Sequence, residues 1–430
     1  MTKTKGFSYG KIFAIGSGFF ALTLAWTFYN AYMPLILGEY IESRAIRGGI
    51  MGLDNLVAVL LIPFIGAWSD KISTPIGKRL PFITVGMPLA ALFFVLLPFS
   101  AEITLWTLLA VDVIFLLAMT IYRAPVIALM PDHTPIDKRS TANGIINLMG
   151  GVGAIVALFC LSSLYGMDQS YPFLVTGLIL FLSFIFLYFT VDRNPAYVGS
   201  SEDELEEVQA SKSFFQGLSK LKQPAFRGHL FILIAIFLYF IGYAGVEAQF
   251  TTYAVEHLKM DESAAGLTLG FFSLAFVIFA IPAGLIGSKR GKAPIMLLGL
   301  ILLPLIFILI PLLPLLQGVM PSINETLVLQ IVLFIGGIAW ALINVQAYPL
   351  VADLGGKDKI GFFTGLYYLF SMASSIVAPG LLGLLMDLFT HPALFFGSAL
   401  TFLIAFFFLK KGSSMVHTSK IDLNDDSLKL

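Results

Sequence analysis

The chain is poor in cysteine and in charged residues. Its 430 residues include a single cysteine, Cys160, which excludes an internal disulfide and argues against a cysteine-rich metal cluster. Only 12% of the residues are charged whereas 58% are hydrophobic, and the net charge is zero. Phosphate backbones are bound by concentrated basic faces, so a nucleic-acid partner is not expected. The composition is that of a membrane protein rather than a soluble one.

Arrangements typical of enzymes are also lacking. The sequence has no glycine-rich loop before a lysine that would hold phosphate, no histidine and cysteine pattern with metal-ligand spacing, and no serine, histidine and aspartate set at a plausible depth. No histidine lies deep in a long apolar run, so none is a good proton carrier. We therefore expect no enzyme activity, no cofactor and no metal, and an ATP-driven pump is disfavoured.

Long apolar runs are the dominant feature that is present. Each has about 20 residues or more, enough for a helix to cross a bilayer core of about 30 Å. The first run is too long for a signal peptide and is followed by no small-residue cleavage site, so we interpret it as a retained span. The predicted spans are residues 11–37, 48–69, 81–99, 103–131, 140–165, 171–191, 229–256, 263–288, 293–316, 326–352, 361–386 and 391–409.

These twelve spans fall into two groups of six, separated by a polar stretch. The pattern predicts an all-α integral membrane protein with a six-helix bundle at 1–191 and a second bundle at 229–409. Between them, residues 192–228 form a linker with a capping-box pattern at 201–204, and residues 410–430 form a short tail. The linker and the tail are both expected in the cytoplasm.

The second half of the chain repeats the first at one constant offset, which indicates two pseudo-symmetric copies of one bundle. Duplicated bundles are how secondary transporters build a site that opens to either side of the membrane. The residues that recur are Asp132, Asp137, Lys138, Gly144, Leu148, Ile155, Val156 and Ala157, which return as Asp353, Asp358, Lys359, Gly365, Leu369, Ile376, Val377 and Ala378.

The distribution of basic residues predicts the orientation. If the N-terminus is inside, all but four of the 26 lysines and arginines lie in cytoplasmic segments. The exceptions are Arg44, Arg47 and Lys259 outside and Arg123 within a span. The positive-inside rule then places both termini in the cytoplasm of a cell (plasma) membrane protein.

The loop after the second span carries the most specific local motif, in the segments Gly66–Lys71 and Gly77–Phe82. A glycine lets a neighbouring helix approach, an aspartate can meet a positive helix N-terminus, and basic residues hold the next span to the inner leaflet. We predict a cytoplasmic gate here, although an ordinary turn with topology-setting charges is the alternative. The predicted gate residues are Gly66, Asp70, Lys71, Gly77, Lys78, Arg79, Asp132 and Arg139. In the second-half copy of this loop, Ser288 replaces the aspartate.

Two segments resemble a known family. The pattern in Ser69–Asp70 and Gly77–Phe82 is similar to the sucrose/proton symporter and glycoside–pentoside–hexuronide branches of the major facilitator superfamily. The segment Tyr122–Asp132, continuing through Arg139 and Asn147–Gly150, resembles bacterial members of solute carrier family 45. The resemblance implies the major facilitator fold and proton-coupled uptake of a disaccharide such as sucrose or maltose.

The chain departs from these relatives at informative positions. Melibiose permeases, which are cousins of the family that this chain resembles, build a sodium site from two aspartates one turn apart on the second span and one aspartate on the fourth. Here Asp54 is followed one turn later by Ala58. A sodium site would lose a hard oxygen ligand, so proton coupling is the better expectation. The sugar-porter motif expected after the sixth span is replaced by Asp192–Pro195, and a hexose facilitator of that type is not indicated.

Ionisable residues inside the spans are the best candidates for proton coupling. A charge near the bilayer centre costs roughly 3 kcal/mol or more, so such residues usually face an interior cavity. The candidates are Asp112, Asp54, Glu247 and Arg123. Each has an alternative: Arg123 as a tie between helices, Asp54 as a lock near the outer gate, Asp112 as a structural carboxyl, and Glu247 as a solvated residue at the membrane interface.

Candidate sugar ligands are polar and aromatic side chains of the spans, because a sugar needs hydrogen bonds and a flat apolar face. For any one aromatic residue, packing or lipid contact is the alternative. The candidates are Trp26, Tyr29, Asn30, Asn55, Tyr243, Gln249, Trp340, Asn344, Gln346 and Tyr367.

The sequence thus predicts a proton-coupled disaccharide symporter that works by alternating access. Its expected partners are a small-molecule sugar, protons and the lipid bilayer, and we expect a monomer. A proton-driven exporter of amphipathic compounds and a membrane sugar sensor that does not transport are the alternatives.

Overall fold

The computed structural model describes residues 8–135, 138–195, 197, 226–315, 324–354 and 360–426. Most of the predicted linker lies outside the described residues, and with it the capping-box pattern at 201–204. The repeat positions Asp137, Asp358 and Lys359 also lie outside them.

Within the described ranges, twelve helices are long and apolar enough to cross a membrane. In chain order they are α1 (Tyr9–Gly38), α2 (Arg44–Lys71), α3 (Leu80–Ala101), α4 (Leu105–Asp132), α5 (Arg139–Val156, continued by a π-helical turn at Ala157–Leu161 and by Ser162–Tyr165), α6 (Tyr171–Thr190), α7 (Arg227–Glu256), α8 (Glu262–Arg290), α9 (Lys292–Leu309, continued by a 3₁₀ turn at Ile310–Leu312), α10 (Glu325–Leu354), α11 (Ile360–Leu388) and α12 (Ala393–Asp426). The predicted all-α fold with twelve spans is confirmed.

Several helices extend beyond the predicted spans because hydropathy marks apolar residues rather than helix ends. α2 begins at Arg44, although its apolar run starts near residue 48, and α12 continues past residue 409 to Asp426. Arg44 and Arg47, which the sequence assigns to an outer loop, therefore lie in the first turns of α2. Arg47 is only 2% exposed.

The helices divide into two compact units. The first contains residues 1–42, 53–200 and 250–270. Within it, α3 packs against α4 and α6, and α1 packs against α5 and α6. Buried aromatic rings fill the space between these helices, with ring centroids 5.2 Å apart for Phe28 and Phe173 and 5.1 Å apart for Phe94 and Phe173. These rings meet edge to face or tilted, as favourable aromatic pairs do.

Residues 250–270 join this unit although they belong to the second half of the sequence. The hydroxyl of Thr251 donates to the carbonyl of Ala31, and that of Tyr32 donates to the carbonyl of Glu262 at 3.3 Å. A side chain at Gly266 would collide with Tyr32 and Ser162. The end of α7 and the start of α8 are thus packed closely on α1 and α5.

The second unit contains residues 43–52, 201–249 and 271–430. α9 packs against α10 and α12, and α11 packs against α10 and α12. The start of α2 belongs to this unit and is capped from α11. Asp387 accepts hydrogen bonds from the backbone N–H groups of Arg44 and Ala45 at 3.0 and 2.9 Å and from the hydroxyl of Ser43 at 2.8 Å. A carboxylate at a helix N-terminus satisfies free N–H groups and matches the helix dipole, which explains why α2 can begin in a polar segment.

Candidate functional site

Asp112 of α4 and Tyr29 of α1 form the centre of a polar cluster in the first unit. Asp112 is 2% exposed and Tyr29 is fully buried. The Tyr29 hydroxyl donates a hydrogen bond to Asp112 Oδ1 at 2.9 Å. Trp26, about one turn earlier on α1, meets Tyr29 edge to face with ring centroids 5.6 Å apart. The carboxyl group of Asp112, inside a span, is therefore bonded to the neutral hydroxyl of Tyr29, and the Trp26 ring packs against the Tyr29 ring.

Arg123 approaches this cluster through Trp26. Its guanidinium carbon lies 5.9 Å from the centroid of the Trp26 ring, within the range of a cation–π contact. Arg123 and Trp26 are both half-buried, and the indole nitrogen of Trp26 is buried with no hydrogen-bond partner among the described residues. A cation thus lies over the face of the indole ring, while the indole N–H, which points outward in the plane of that ring, has no acceptor among the described residues.

Asp54 of α2 adds a second carboxyl group to the first unit. It is 7% exposed, and its Oδ1 accepts a hydrogen bond from Asn55 Nδ2 at 2.6 Å. The charge of Asp54 acts on both Asp112 and Arg123. Asp54 therefore lies close enough to Asp112 and to Arg123 for its charge to affect both of them. The hydrogen bond from Asn55 orients Asp54. Asn30 of α1 is half-buried next to Tyr29 in the sequence.

A separate aromatic and acidic cluster lies in the second unit. The hydroxyl of Tyr243 donates to Glu247 Oε1 at 3.1 Å. The Tyr243 ring stacks on the buried Trp340 ring with centroids 4.0 Å apart and planes 3° from parallel. Glu247 is therefore held by a hydrogen bond one turn from a stacked aromatic pair. Tyr367 is 8% exposed and contacts this cluster through Phe240, at 6.3 Å between ring centroids.

Two predicted sugar ligands of the second unit are engaged in helix packing. Gln249 is 1% exposed, and its amide nitrogen donates to the carbonyls of Arg44 and Pro379, both at 3.1 Å. Gln346 is 3% exposed and donates to the carbonyl of Ala283 at 2.8 Å. Both amides tie neighbouring helices together. Asn344, by contrast, is half-buried one turn after Trp340 on α10.

Arg79 is the centre of the predicted gate. It immediately precedes α3, whose start is fixed by a proline in the first turn. Its guanidinium donates to Asp132 Oδ2 at 2.9 Å through Nε, to Ser69 Oγ at 2.5 Å through Nη1, and to Asp70 through Nη2. Burial lowers the pKa of Arg79, but the hydrogen bond and charge of Asp132 and the charge of Asp70 raise it further, so the net shift of its pKa is upward. The positively charged guanidinium of Arg79 thus binds side chains at the ends of both α2 and α4.

The other predicted gate residues are arranged around this ion pair. Lys71 is exposed at the end of α2, and Arg139 is half-buried at the start of α5. Lys78 lines a cavity of about 20 Å³ together with Gly77, Arg79 and Asp132. The expectation that Gly66 lets a neighbouring helix approach is wrong, because a side chain there would meet no described atom within 4 Å.

His133 follows the last residue of α4 and lines the same cavity, and no sequence motif singles it out. It is 6% exposed and its Nδ1 lies 2.8 Å from the carbonyl oxygen of Leu129, so Nδ1 carries the proton. Burial lowers the pKa of His133, and the Leu129 carbonyl and the charges of Asp132 and Asp192 offset this only in part. Adjacency to Asp132 was the available signal. Asp192, which also lines the cavity, forms an ion pair with Lys11.

The second unit has a related ion pair. Lys292, the first residue of α9, pairs with Asp353 near the end of α10 and donates to the carbonyl of Pro349 at 3.2 Å. Asp353 is the repeat counterpart of Asp132, so a basic residue bonded to this aspartate occurs in both units. Ser288, which stands in place of the aspartate in the second-half loop, donates to the carbonyl of Leu285 in its own helix at 2.9 Å.

We predict that Gly77→Ala destabilises the protein by about 1–3 kcal/mol. Gly77 has a φ of 99°, and a Cβ atom there would collide with the carbonyl oxygen of Arg193. Gly66→Ala is the matched control, since its helical position is open and alanine favours a helix. The midpoint of thermal unfolding in detergent should fall for Gly77→Ala alone. Equal midpoints for the two variants would contradict the backbone argument.

Twelve spans in two helical units, each with buried ionisable residues, define a polytopic membrane protein of the transporter class. The family model of the Major Facilitator Superfamily matches this chain over residues 15–320 and 232–422. The chain therefore belongs to the Major Facilitator Superfamily and is a membrane transporter of that type.

Individual relatives are more distant. Sucrose transport protein SUC3 of Arabidopsis thaliana is 28% identical over 165 residues, which cover 33% of this chain and 28% of that protein. An uncharacterized MFS-type transporter of Methanocaldococcus jannaschii is 23% identical over 380 residues, 86% of each chain. The crystal structure of the nucleoside transporter NupG, a variant, superposes with a TM-score of 0.70 and 14% identity over 95% of this chain and 98% of that one. That structural likeness bears on the fold alone.

Proposed function

We propose that the protein is a proton-coupled symporter that takes up a disaccharide of the sucrose or maltose type. The observation that carries this proposal is the cluster of Asp112, Tyr29, Trp26 and Arg123 in the first unit. It combines a buried carboxyl group with a cation and an indole ring that has an unused N–H donor. The partial similarity to a sucrose transport protein supports the substrate class.

Sugar recognition is assigned to half-buried polar groups and to aromatic rings. A pyranose ring offers an apolar face for Trp26, while its hydroxyl groups can accept from Arg123 and exchange hydrogen bonds with Asn30. In the second unit, Tyr243 and Glu247 provide an aromatic face and an acceptor, and Asn344 adds an amide. We do not assign Gln249 and Gln346 to sugar binding, because their amide groups donate to backbone carbonyls of neighbouring helices.

Coupling is assigned to protons and not to sodium. Asp54 has Asn55 as its neighbour and Ala58 one turn later, where a second carboxylate would be needed to surround a hard cation with oxygen. Asp112 is bonded to a hydroxyl donor in a nearly dry position. Such a carboxyl group can bind and release a proton without further ligands. We assign the coupled proton to Asp112, with Asp54 and Arg123 setting the local charge.

The proposal is tested by uptake of labelled sucrose and maltose into vesicles that contain the purified protein. An inward proton gradient should drive accumulation, and replacing sodium with potassium or choline should leave it unchanged. Accumulation that needs sodium and ignores a pH step would refute the coupling assignment. Sugar binding without any uptake would identify a sensor, and proton-driven efflux of amphipathic compounds without sugar binding would identify an exporter.

We further propose that both termini are cytoplasmic and that Arg79 and its partners form the cytoplasmic gate. The support is the distribution of lysine and arginine, which places the α2–α3 loop and the α4–α5 loop on the more basic side. In that orientation, alkaline phosphatase fused to the C-terminus is inactive in bacterial cells, whereas a fusion in the loop between Glu256 and Glu262 is active. The reverse pattern would invert the assignment.

A further inference from the structure

Tyr29 already has a partner in the protein, which bears on the sugar-binding role that the sequence suggests. Its side chain is fully buried, and its oxygen lies 2.9 Å from Asp112 Oδ1. The rings of Trp26 and Phe115 contact the Tyr29 ring with centroid distances of 5.6 and 5.4 Å. The ring cannot turn to another partner without repacking both neighbours. Its only hydroxyl proton is used in the bond to Asp112, and full burial leaves no room for a sugar hydroxyl to donate to the oxygen.

We propose that Tyr29 is a positioning residue for Asp112 and does not bind the sugar. Its hydroxyl holds the carboxyl group in one orientation and favours the ionised form, since a donor bonded to a carboxylate stabilises the charge. Tyr29 thereby sets the pH range over which the site is loaded with a proton. This inference rests on the proposed role of Asp112 as the coupled carboxyl group.

The groups that act directly on Asp112 come from two other helices, and a third group acts on Asp54. Tyr29 of α1 donates the hydrogen bond, Asp54 of α2 contributes a like charge, and Arg123 of α4 contributes an opposite charge in the neighbourhood of Asp54. Arg123 lies over the Trp26 ring. The two charged groups act through space, whereas the Tyr29 hydroxyl acts in direct contact and can be removed as a single oxygen atom.

Tyr29→Phe removes this oxygen and keeps the ring. Tyr122→Phe is the matched control, because Tyr122 is equally buried and its hydroxyl, among the described residues, donates to the sulfur of Met119 at 3.0 Å and not to a carboxyl group. The purified proteins are titrated by infrared difference spectroscopy, which reports the carbonyl band of a protonated carboxyl group. The band of Asp112 is assigned by its loss in Asp112→Asn, and this readout needs no substrate.

The expected result is an upward shift in the titration midpoint of this band by about one pH unit in Tyr29→Phe, a tenfold change in proton binding. Tyr122→Phe should titrate like the parent. In vesicles, the pH of half-maximal sugar accumulation should move in the same direction, while the affinity for sucrose or maltose stays within about twofold of the parent. If Tyr29→Phe is not recovered folded, Tyr29→Met, which also lacks a donor, should show the same shift.

An unshifted midpoint in both Tyr29 variants overturns the inference. An unshifted midpoint with a tenfold loss of sugar affinity makes Tyr29 a sugar ligand instead. Failure of the proposed function has a different signature. If Asp112→Asn accumulates sugar like the parent, the assignment of the coupled proton to Asp112 fails, and if the parent takes up no sugar, the symporter assignment fails. In either case the infrared titration still decides whether Tyr29 controls Asp112.

Discussion

Asp112→Asn is expected to abolish uphill accumulation of sugar and to preserve exchange of sugar across the membrane. Asparagine is permanently neutral and mimics the protonated carboxyl group, so the transporter can alternate with sugar bound but carries no net proton. In the parent, each inward proton contributes about 2.3 kcal/mol per 100 mV of membrane potential, which supports about 50-fold accumulation. In the variant, the ratio of internal to external sugar should fall to about one.

Exchange and accumulation must be measured in the same vesicles for this prediction. Asp261→Asn, which neutralises an exposed carboxylate before α8, is the control and should accumulate sugar like the parent. Glu247→Gln should keep pH-driven accumulation with weaker sugar affinity, since Glu247 is assigned to binding. Accumulation by Asp112→Asn at the parental level would show that Asp112 is dispensable. Joint loss of binding, exchange and accumulation would make it a sugar ligand.

The spans could be predicted from the sequence because membrane crossing depends on the length and apolarity of each segment alone. Helix ends were less predictable. α2 begins in a polar segment because Asp387, more than 300 positions away in the sequence, caps its first N–H groups. The residues around Arg44 give no indication that Asp387 will cap this helix. The division of α2, α7 and α8 between the two compact units likewise depends on tertiary packing.

The candidate site could also be predicted only in part from the sequence. Asp112 and Arg123 could be found because ionisable residues inside spans are rare and costly. Their partners depend on how α1 and α4 are rotated about their axes, and the sequence does not specify this. From the sequence, Tyr29 and Gln249 are equally good candidates for sugar ligands. In the structure, the Tyr29 hydroxyl bonds to Asp112, whereas the Gln249 amide bonds to two backbone carbonyls.

Arg123→Lys is expected to lower the initial rate of sugar uptake about tenfold, and Arg123→Gln about 100-fold. The planar guanidinium lies over the Trp26 ring, and its weak hydration suits a partly desolvated site. A lysine ammonium is a compact and strongly hydrated point charge that cannot lie flat on an indole, and loss of about 1.4 kcal/mol from such a contact corresponds to the tenfold effect. Glutamine also removes the positive charge that interacts with Asp54.

The contact with Trp26 can be separated from the charge by a double-mutant cycle. If Arg123 acts through the ring, the Lys substitution should cost much less in a Trp26→Phe background than in the parent, because the stronger cation–π partner is already absent. Arg290→Lys, at an exposed position in the last turn of α8, controls for the general effect of the exchange. Variants are compared at matched amounts of protein in the vesicle membrane. Near-normal uptake by Arg123→Lys would reduce Arg123 to a spacer between helices, and strictly additive effects of the two substitutions would assign its role to charge alone.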